Sequence, residues 1–389
     1  MAFKFHITFK NFTFAFTKLH IMRLAALLIL LAFMNASAQD NYNLVIGTYT
    51  KNCDSKGIYV YDFNAVTAEA KLKSTSESTS NPSYLTVSDD AKYLYSVNED
   101  GAKSTISAFR YTPATGKLKL INKKDSRGED PCYIISDEKH VIAANYTGGT
   151  IAVFERNADG SLTEAKQLIK HSGSSVNKER QEKPHVHMVH FSPDKKFVFV
   201  NDLGTDKIYI YNYHPEQESK ILVLKDVIAT KPGSGPRHLV FNPNGIFFYV
   251  LHELDASLTV YSWIKEKATL IQEKSIAIKD EGCKNGAADI HFTRDGKFLY
   301  ATNRGDANTI SVFKSHANGM LNFVQELPTM GEGPRNFVID PKDNYVLIGH
   351  ENSNDIVIFK RDKTTGMLTD TNKRIQVCSP VCLVFTKSK

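Results

Sequence analysis

Apolar and polar positions along this chain follow a pattern that repeats. Each copy holds a Pro or small residue, a short apolar strand, a polar turn built around Asp or Asn, and a second apolar strand ending in Asn, Asp or His. The copies read Pro82 SYLTVSDDAKYLYSVNE, Pro131 CYIISDEKHVIAANY, Pro184 HVHMVHFSPDKKFVFVND, Pro236 RHLVFNPNGIFFYVLHE, Ala288 DIHFTRDGKFLYATNR and Pro334 RNFVIDPKDNYVLIGHE. A third strand rich in Val, Ile, Phe and Tyr follows each one, as in TISAF, TIAVF, KIYIY, SLTVY, TISVF and DIVIF.

A period close to 50 residues signals a repeat architecture, with room for about four short strands per unit. One such sheet cannot bury both of its faces. Packed radially, each sheet covers the next, and the exposed edges stay short. A last interval leads to Pro380 and the strand VCLVF, which has no partners downstream. The N-terminal segments LVIGTY and GIYVYDF supply the matching second and third strands. The expected fold is therefore all-β, a seven-bladed β-propeller whose last blade is closed by N- and C-terminal strands. Residues 171–183, HSGSSVNKERQEK, are polar throughout. They predict an exposed loop just before Pro184, in a position to overhang a site.

The start of the chain departs from this pattern. Arg23 precedes an apolar run over residues 24–33, and Ala36-Ser37-Ala38 fits a small-x-small cleavage site. This predicts a signal peptide over 1–38, cleaved after Ala38, with residues 1–21 as an upstream extension before Met22. The run falls short of the roughly 20 apolar residues that a membrane span needs. Residues 39–389 are then a single exported, periplasmic propeller domain with no stable membrane insertion.

Apolar residues make up 42% of the chain and charged residues 23%, the balance of a globular protein rather than a disordered or collagenous one. The net charge of +6 includes no basic block interleaved with aromatics, so nucleic acid is not an expected partner. Five cysteines leave at least one thiol unpaired within a monomer. No Cys-x-x-Cys pair and no converging acidic set point to a metal. Cys378 and Cys382, if both lie on one strand, would stand roughly 13 Å apart and out of disulfide reach.

The repeat also aligns polar residues that interrupt apolar strands. The third copy carries His185 and His187, expected to point the same way, with His190 opposite. The fourth carries Arg237 and His238 and ends at His252-Glu253; the fifth carries Asp289 and His291 and ends at Asn303-Arg304; the sixth carries Arg335 and ends at His350-Glu351. The first and second copies end at Asn98-Glu99 and Asn145-Tyr146. Equivalent positions in a ring share a rim, so these groups are expected to gather.

Taken singly, His238 and His190 fit structural histidines, Asn145 and Asn98 fit turn residues, Asp289 fits a turn cap, and His350 and Glu351 fit a solvated loop. Arg237 and Arg304 sit in apolar surroundings, where an always-charged guanidinium needs a partner. The catalytic candidates are His185, His187, Arg237, Glu253 and Arg304. The substrate-contact candidates are His238, His291, Asn303, Arg335 and Asn145.

The segments PHVHMVHFSPDKKFVFVNDLG, GPRHLVFNPNGIFFYVLHE, ADIHFTRDGKFLYATNRG and GPRNFVIDPKDNYVLIGHE, with IGTYT and ANYTGGTIAVF, resemble the lactonase family typified by propeller-type bacterial 6-phosphogluconolactonase. The resemblance spans roughly residues 42–386. It implies a metal-independent, cofactor-free hydrolase of a small, sugar-type, anionic lactone. It points to His185 or His187, Arg237, Glu253 and Arg304. A histidine would take a proton from water, the arginines would hold charge on the substrate and on the developing oxyanion, and the glutamate would orient the histidine. The sixth copy reads PRNF where the family has PRHF, so Asn336 implies a lost ligand contact or a changed substrate there. The same motifs are similar to fungal carboxymuconate-lactonizing enzymes. A lactonizing cyclase or isomerase, or a non-enzymatic binding propeller, therefore stands as the alternative.

Overall fold

Strand patterning accounts for the layers of a computed structural model that describes residues 1, 40–51, 53–278 and 282–389. The proposed signal peptide and upstream extension lie outside the described residues apart from Met1. Second strands such as Phe247–His252 and Tyr345–His350 are buried at every position. Their continuous apolar runs reflect sheets covered on both faces. Outer strands such as Leu162–Lys170 alternate between buried or half-buried and exposed positions, because one of their faces meets water.

Among the described residues these strands form seven four-stranded antiparallel sheets. Blades 1 to 6 cover residues 85–125, 131–170, 186–229, 236–275, 285–328 and 334–376. The seventh takes three strands from the N-terminus, Asn41–Thr48, Ile58–Asn64 and Ala70–Thr75, and its innermost strand, Pro380–Lys387, from the C-terminus. The expected ring and its split blade are both present. The innermost strands of neighbouring blades pack on one another all the way round the axis.

Closure joins the chain ends directly. Asn41–Thr48 pairs with Pro380–Lys387 through partners such as Val45 with Val384. A disulfide between Cys53 and Cys378, with Cα atoms 6.1 Å apart, ties the loop after the first strand to the segment leading into the last. Cys378 precedes the final strand and so does not share it with Cys382. Cys132 and Cys382 are buried free thiols, and Cys283 is a half-buried one.

Each innermost strand from blade 2 onward also starts with a register shift against its neighbour. Pro236 pairs with His252 but His238 pairs with Leu251, so Arg237 is an extra residue in a bulge. The same irregularity isolates Cys132, His187 and Arg335, and it recurs around Ala288-Asp289 and at Val381. A bulge re-aims a side chain that regular alternation would send elsewhere.

The disulfide closes a loop of 325 residues at the seam of the ring. Replacing Cys53 by Ser is expected to lower unfolding stability by about 2–4 kcal/mol. Thermal unfolding of the variant and of the reduced wild type should fall together; an unchanged Tm in both would show that the paired strands alone hold the seam.

Candidate functional site

The GPR segments begin with glycines at positive φ, Gly235 at +65° and Gly333 at +72°, a backbone region that side chains with a Cβ rarely adopt. Pro236 and Pro334 then start the innermost strands, and the bulge follows at once. This local geometry delivers Arg237, which is only 1% exposed, toward the axis.

Arg237 does not stand alone. Its Nε donates to Glu253 Oε2 at 2.9 Å. Arg304 Nη2 reaches the same oxygen at 3.1 Å, and Arg180 Nη2 donates to Oε1 at 2.6 Å. Three guanidiniums thus converge on one carboxylate. Burial would raise the Glu253 pKa, but Arg304, Arg237 and Arg180 override it and hold the carboxyl at about 2. Arg237 feels the opposite balance. Burial first, and then Arg304, lower it to about 10 despite Glu253. The cluster is rich in positive charge around its single anion, so Glu253 gains what Arg237 loses.

His187 lies at the edge of this cluster, with Nε2 3.9 Å from Glu253 Oε2. That distance exceeds a hydrogen bond. Glu253 is spent on the arginines and does not orient the imidazole as the sequence implied. Burial, followed by Arg237, His238, Arg335 and Arg304, pushes the His187 pKa well below its ordinary value, so the ring is neutral near pH 7. His185 precedes the bulge and faces a different set. Its Nε2 lies 3.2 Å from both oxygens of Glu182, its Nδ1 lies 3.2 Å from the Tyr146 carbonyl, and its ring stacks on Tyr146. The two histidines were expected to point alike; His185 precedes the strand and His187 is the bulged residue, so they meet different partners.

Arg335 is held across the channel by a second group. Its Nη1 lies 3.7 Å from Glu351 Oε2, and its guanidinium packs over the Tyr49 ring at 5.3 Å. Tyr49 in turn donates to Glu99 Oε2 at 2.9 Å. Glu351, which suits a solvated loop from sequence alone, is therefore part of the site.

Below the arginines, Asp289 organises the channel. It accepts from His238 Nδ1 at 2.8 Å, His291 Nε2 at 2.9 Å, the Asn336 amide, and the Ile290 and Phe337 backbone amides. Burial opposes the charge on Asp289, but His291 and His238 keep its pKa low. His238 is itself held at about 4 by burial and Arg237, against the pull of Asp289. Its Nε2 lies 3.3 Å from Arg237 Nη1, which links the two levels. Asn336 also accepts the Leu383 amide at 2.6 Å, so it braces blades 5, 6 and 7 inside the channel.

Asn145 and Asn303 are not brought into the cluster. Asn145 donates to the Ser126 carbonyl and to Thr150, and Asn303 to the Ile276 carbonyl and to Asn285. Each ties a strand end to the segment between blades. Sequence reasoning passed over Arg180, because a lone Arg in a polar loop carries no periodic signal; only its position before Pro184 hinted at an overhang. Tyr49 was within reach, since it sits in the IGTYT segment.

The cavity above these groups has a volume of about 670 Å³, and Arg180, Glu253, Arg304, Asp306, Asn308 and Glu332 are among its lining residues. That size suits a small organic ligand. Among the described residues no three His, Cys, Asp or Glu side chains form a group that could hold a metal ion.

The family described as "Lactonase, 7-bladed beta-propeller" matches residues 43–385. A 6-phosphogluconolactonase from Formosa agariphila is 36% identical over 332 residues, covering 84% of this chain and 94% of that protein. The crystal structure of a putative 6-phosphogluconolactonase from Bacteroides fragilis superimposes with a TM-score of 0.87 at 39% identity, over 90% of this chain and 99% of the other. The periplasmic gluconolactonase of Pseudomonas aeruginosa gives a TM-score of 0.85 at 34% identity, over 90% and 100%.

Glu253 contributes stability that is fully present above its ordinary pKa of 4.5 and is lost as pH falls toward its folded value of about 2. Replacing it by Gln leaves the buried Arg237, the half-buried Arg304 and the exposed Arg180 without their shared anion, at a cost of about 3–5 kcal/mol near pH 7, most of it from Arg237. Urea unfolding of wild type and Glu253→Gln should differ most above pH 5 and converge toward pH 2. A difference that stays flat across that window would mean that another group carries the charge balance.

Proposed function

Since the chain belongs to the seven-bladed β-propeller lactonase family, we propose that it hydrolyses a sugar-type lactone in the cavity over Glu253. The observation that carries this reading is the convergence of Arg180, Arg237 and Arg304 on one carboxylate beside a neutral imidazole. Lactone opening builds negative charge on the carbonyl oxygen, and guanidiniums held in place before the reaction stabilise that charge without reorganising.

Arg304 lines the cavity, whereas Arg237 is buried beneath it. Arg304 therefore takes the oxyanion role, and Arg237 supports Glu253 from below. His187 takes the base role. Both ring nitrogens of His185 already face Glu182 and the Tyr146 carbonyl, while His187, buried beneath the cavity wall, has among the described residues a weak sulfur contact with Cys132 at 3.8 Å and lies 3.9 Å from Glu253. In the reaction a water oxygen bonds to the carbonyl carbon and His187 accepts the water proton. The ring C–O bond then breaks, and the leaving alkoxide takes up a proton to give the open hydroxy acid.

The apolar run 24–33, the Ala36-Ser37-Ala38 site and the Cys53–Cys378 disulfide together support an exported protein, because disulfides persist in oxidising compartments. The periplasmic gluconolactonase that this chain resembles supports the same location. No helix among the described residues is long and apolar enough to cross a membrane. N-terminal sequencing of protein from the periplasmic fraction should begin at Gln39; full-length protein retained in the cytoplasm would refute export.

Proton release from δ-gluconolactone, corrected for spontaneous hydrolysis, tests the activity. Arg304→Ala should lower kcat/KM by at least about 10²-fold, and His187→Asn by about 10²–10⁴-fold. A base acts in its neutral form, so kcat/KM should stay level down through pH 6.5 and fall only well below it, as His187 gains a proton. Full activity in either variant would remove that residue from the reaction.

A further inference from the structure

We infer that the channel binds one monatomic anion, chloride under ordinary conditions, in a small cavity bordered by Arg237, Arg335 and Ser83. This site is separate from the substrate cavity and independent of the reaction proposed above.

The repeat brings these residues together. Ser83 follows Pro82 as Cys132 follows Pro131, Arg237 follows Pro236, Arg335 follows Pro334 and Val381 follows Pro380. In the bulged strands this is the residue turned toward the axis. All five line one cavity with a volume of about 10 Å³. It shares no lining residue with the cavity over Glu253. A space of that size takes a single water or a single monatomic ion. It excludes a phosphate, a carboxylate or any part of a sugar ring.

The lining groups offer hydrogens without acceptors. Ser83 is 3% exposed, and its hydroxyl has no hydrogen-bond partner among the described residues. Arg335 makes no hydrogen bond among them either: Glu351 stands 3.7 Å away, and the Tyr49 ring covers its face. Arg237 uses Nε on Glu253, and Nη1 on the Ala288 carbonyl and His238, which leaves Nη2 without an acceptor among the described residues. The Asn336 side chain is spent on Asp289 and the Leu383 amide.

Charge favours an anion over a water. Arg180, Arg237 and Arg304 share the single carboxylate of Glu253, so positive charge is left over. Arg335 adds to it, and no carboxylate lines the small cavity among the described residues. Two guanidiniums held out of water repel strongly unless an anion lies between them. A water could accept some of these hydrogens, but it carries no charge and must place two hydrogens of its own. A halide accepts from every side, donates nothing and cancels one unit of the surplus.

The test uses the mature protein in sodium methanesulfonate, titrated with NaCl or NaBr at constant ionic strength. Either halide should raise Tm along a saturating curve by about 2–4 °C, the linkage effect of a ligand that binds only the folded state. Ser83→Ala removes one donor outside the reaction machinery and should raise the half-saturating halide concentration several-fold. A crystal grown in NaBr should show a bromide anomalous peak between Arg237, Arg335 and Ser83. A water at that position in the bromide crystal overturns the inference, as does a Tm that exchange of methanesulfonate for halide leaves unchanged. A halide response that Ser83→Ala does not alter, with bromide peaks only at the protein surface, places the binding elsewhere and overturns it as well.

Discussion

A buried carboxylate shared by three guanidiniums is the constraint around which the site is organised. Glu253 directly follows the second strand of blade 4, Arg237 is the second residue of that blade's first strand, Arg304 lies at the end of the second strand of blade 5, and Arg180 comes from the loop before blade 3. The charges of Arg237 and Glu253 are not tolerable alone where they sit, buried as both are, whereas Arg304 is half-buried and Arg180 reaches Glu253 from an exposed loop position. An ion removed from water must find opposite charge or revert to its neutral form, and arginine cannot readily do the second. The cluster therefore requires blades 3 to 5 to meet at one radius and one height.

Asp289 imposes a second constraint one level lower. It accepts donors from blades 4, 5 and 6, and Asn336 extends the network to the Leu383 amide of the closing strand. The Asn in the PRNF segment is thus a brace between blades inside the channel. Arg237 and His238 sit side by side and belong to the two levels, so the arginine cluster and the Asp289 network are coupled through adjacent residues. The arrangement resists distortion because every member has a partner, the condition under which a buried polar network rigidifies a structure.

The bulges make both constraints possible. At a regular strand start, Arg237 and Arg335 would follow the pleat and pack among apolar neighbours of an adjacent blade. One extra residue per innermost strand turns them toward the axis, and the glycine-proline pair before each sets the turn. The disulfide and the pairing of the two chain ends close the ring and fix the radius at which these side chains meet.

Blade number, strand order and the split seventh blade were all readable from the chain, because a repeat of short apolar strands admits few ways to bury both faces of every sheet. A gathering of Arg237, Glu253 and Arg304 with either His185 or His187 was expected as well: equivalent positions in a ring converge, and a guanidinium among apolar residues demands a partner. Tertiary structure alone decided the rest. It separated His187 from His185, because a bulge breaks the alternation that sequence reasoning relies on. It drew Arg180 in from a loop with no period and sent Asn145 and Asn303 to brace the blades. It also made Glu253 the anchor of the arginines rather than of a histidine, since which partner a charge finds depends on distances that spacing along the chain does not encode.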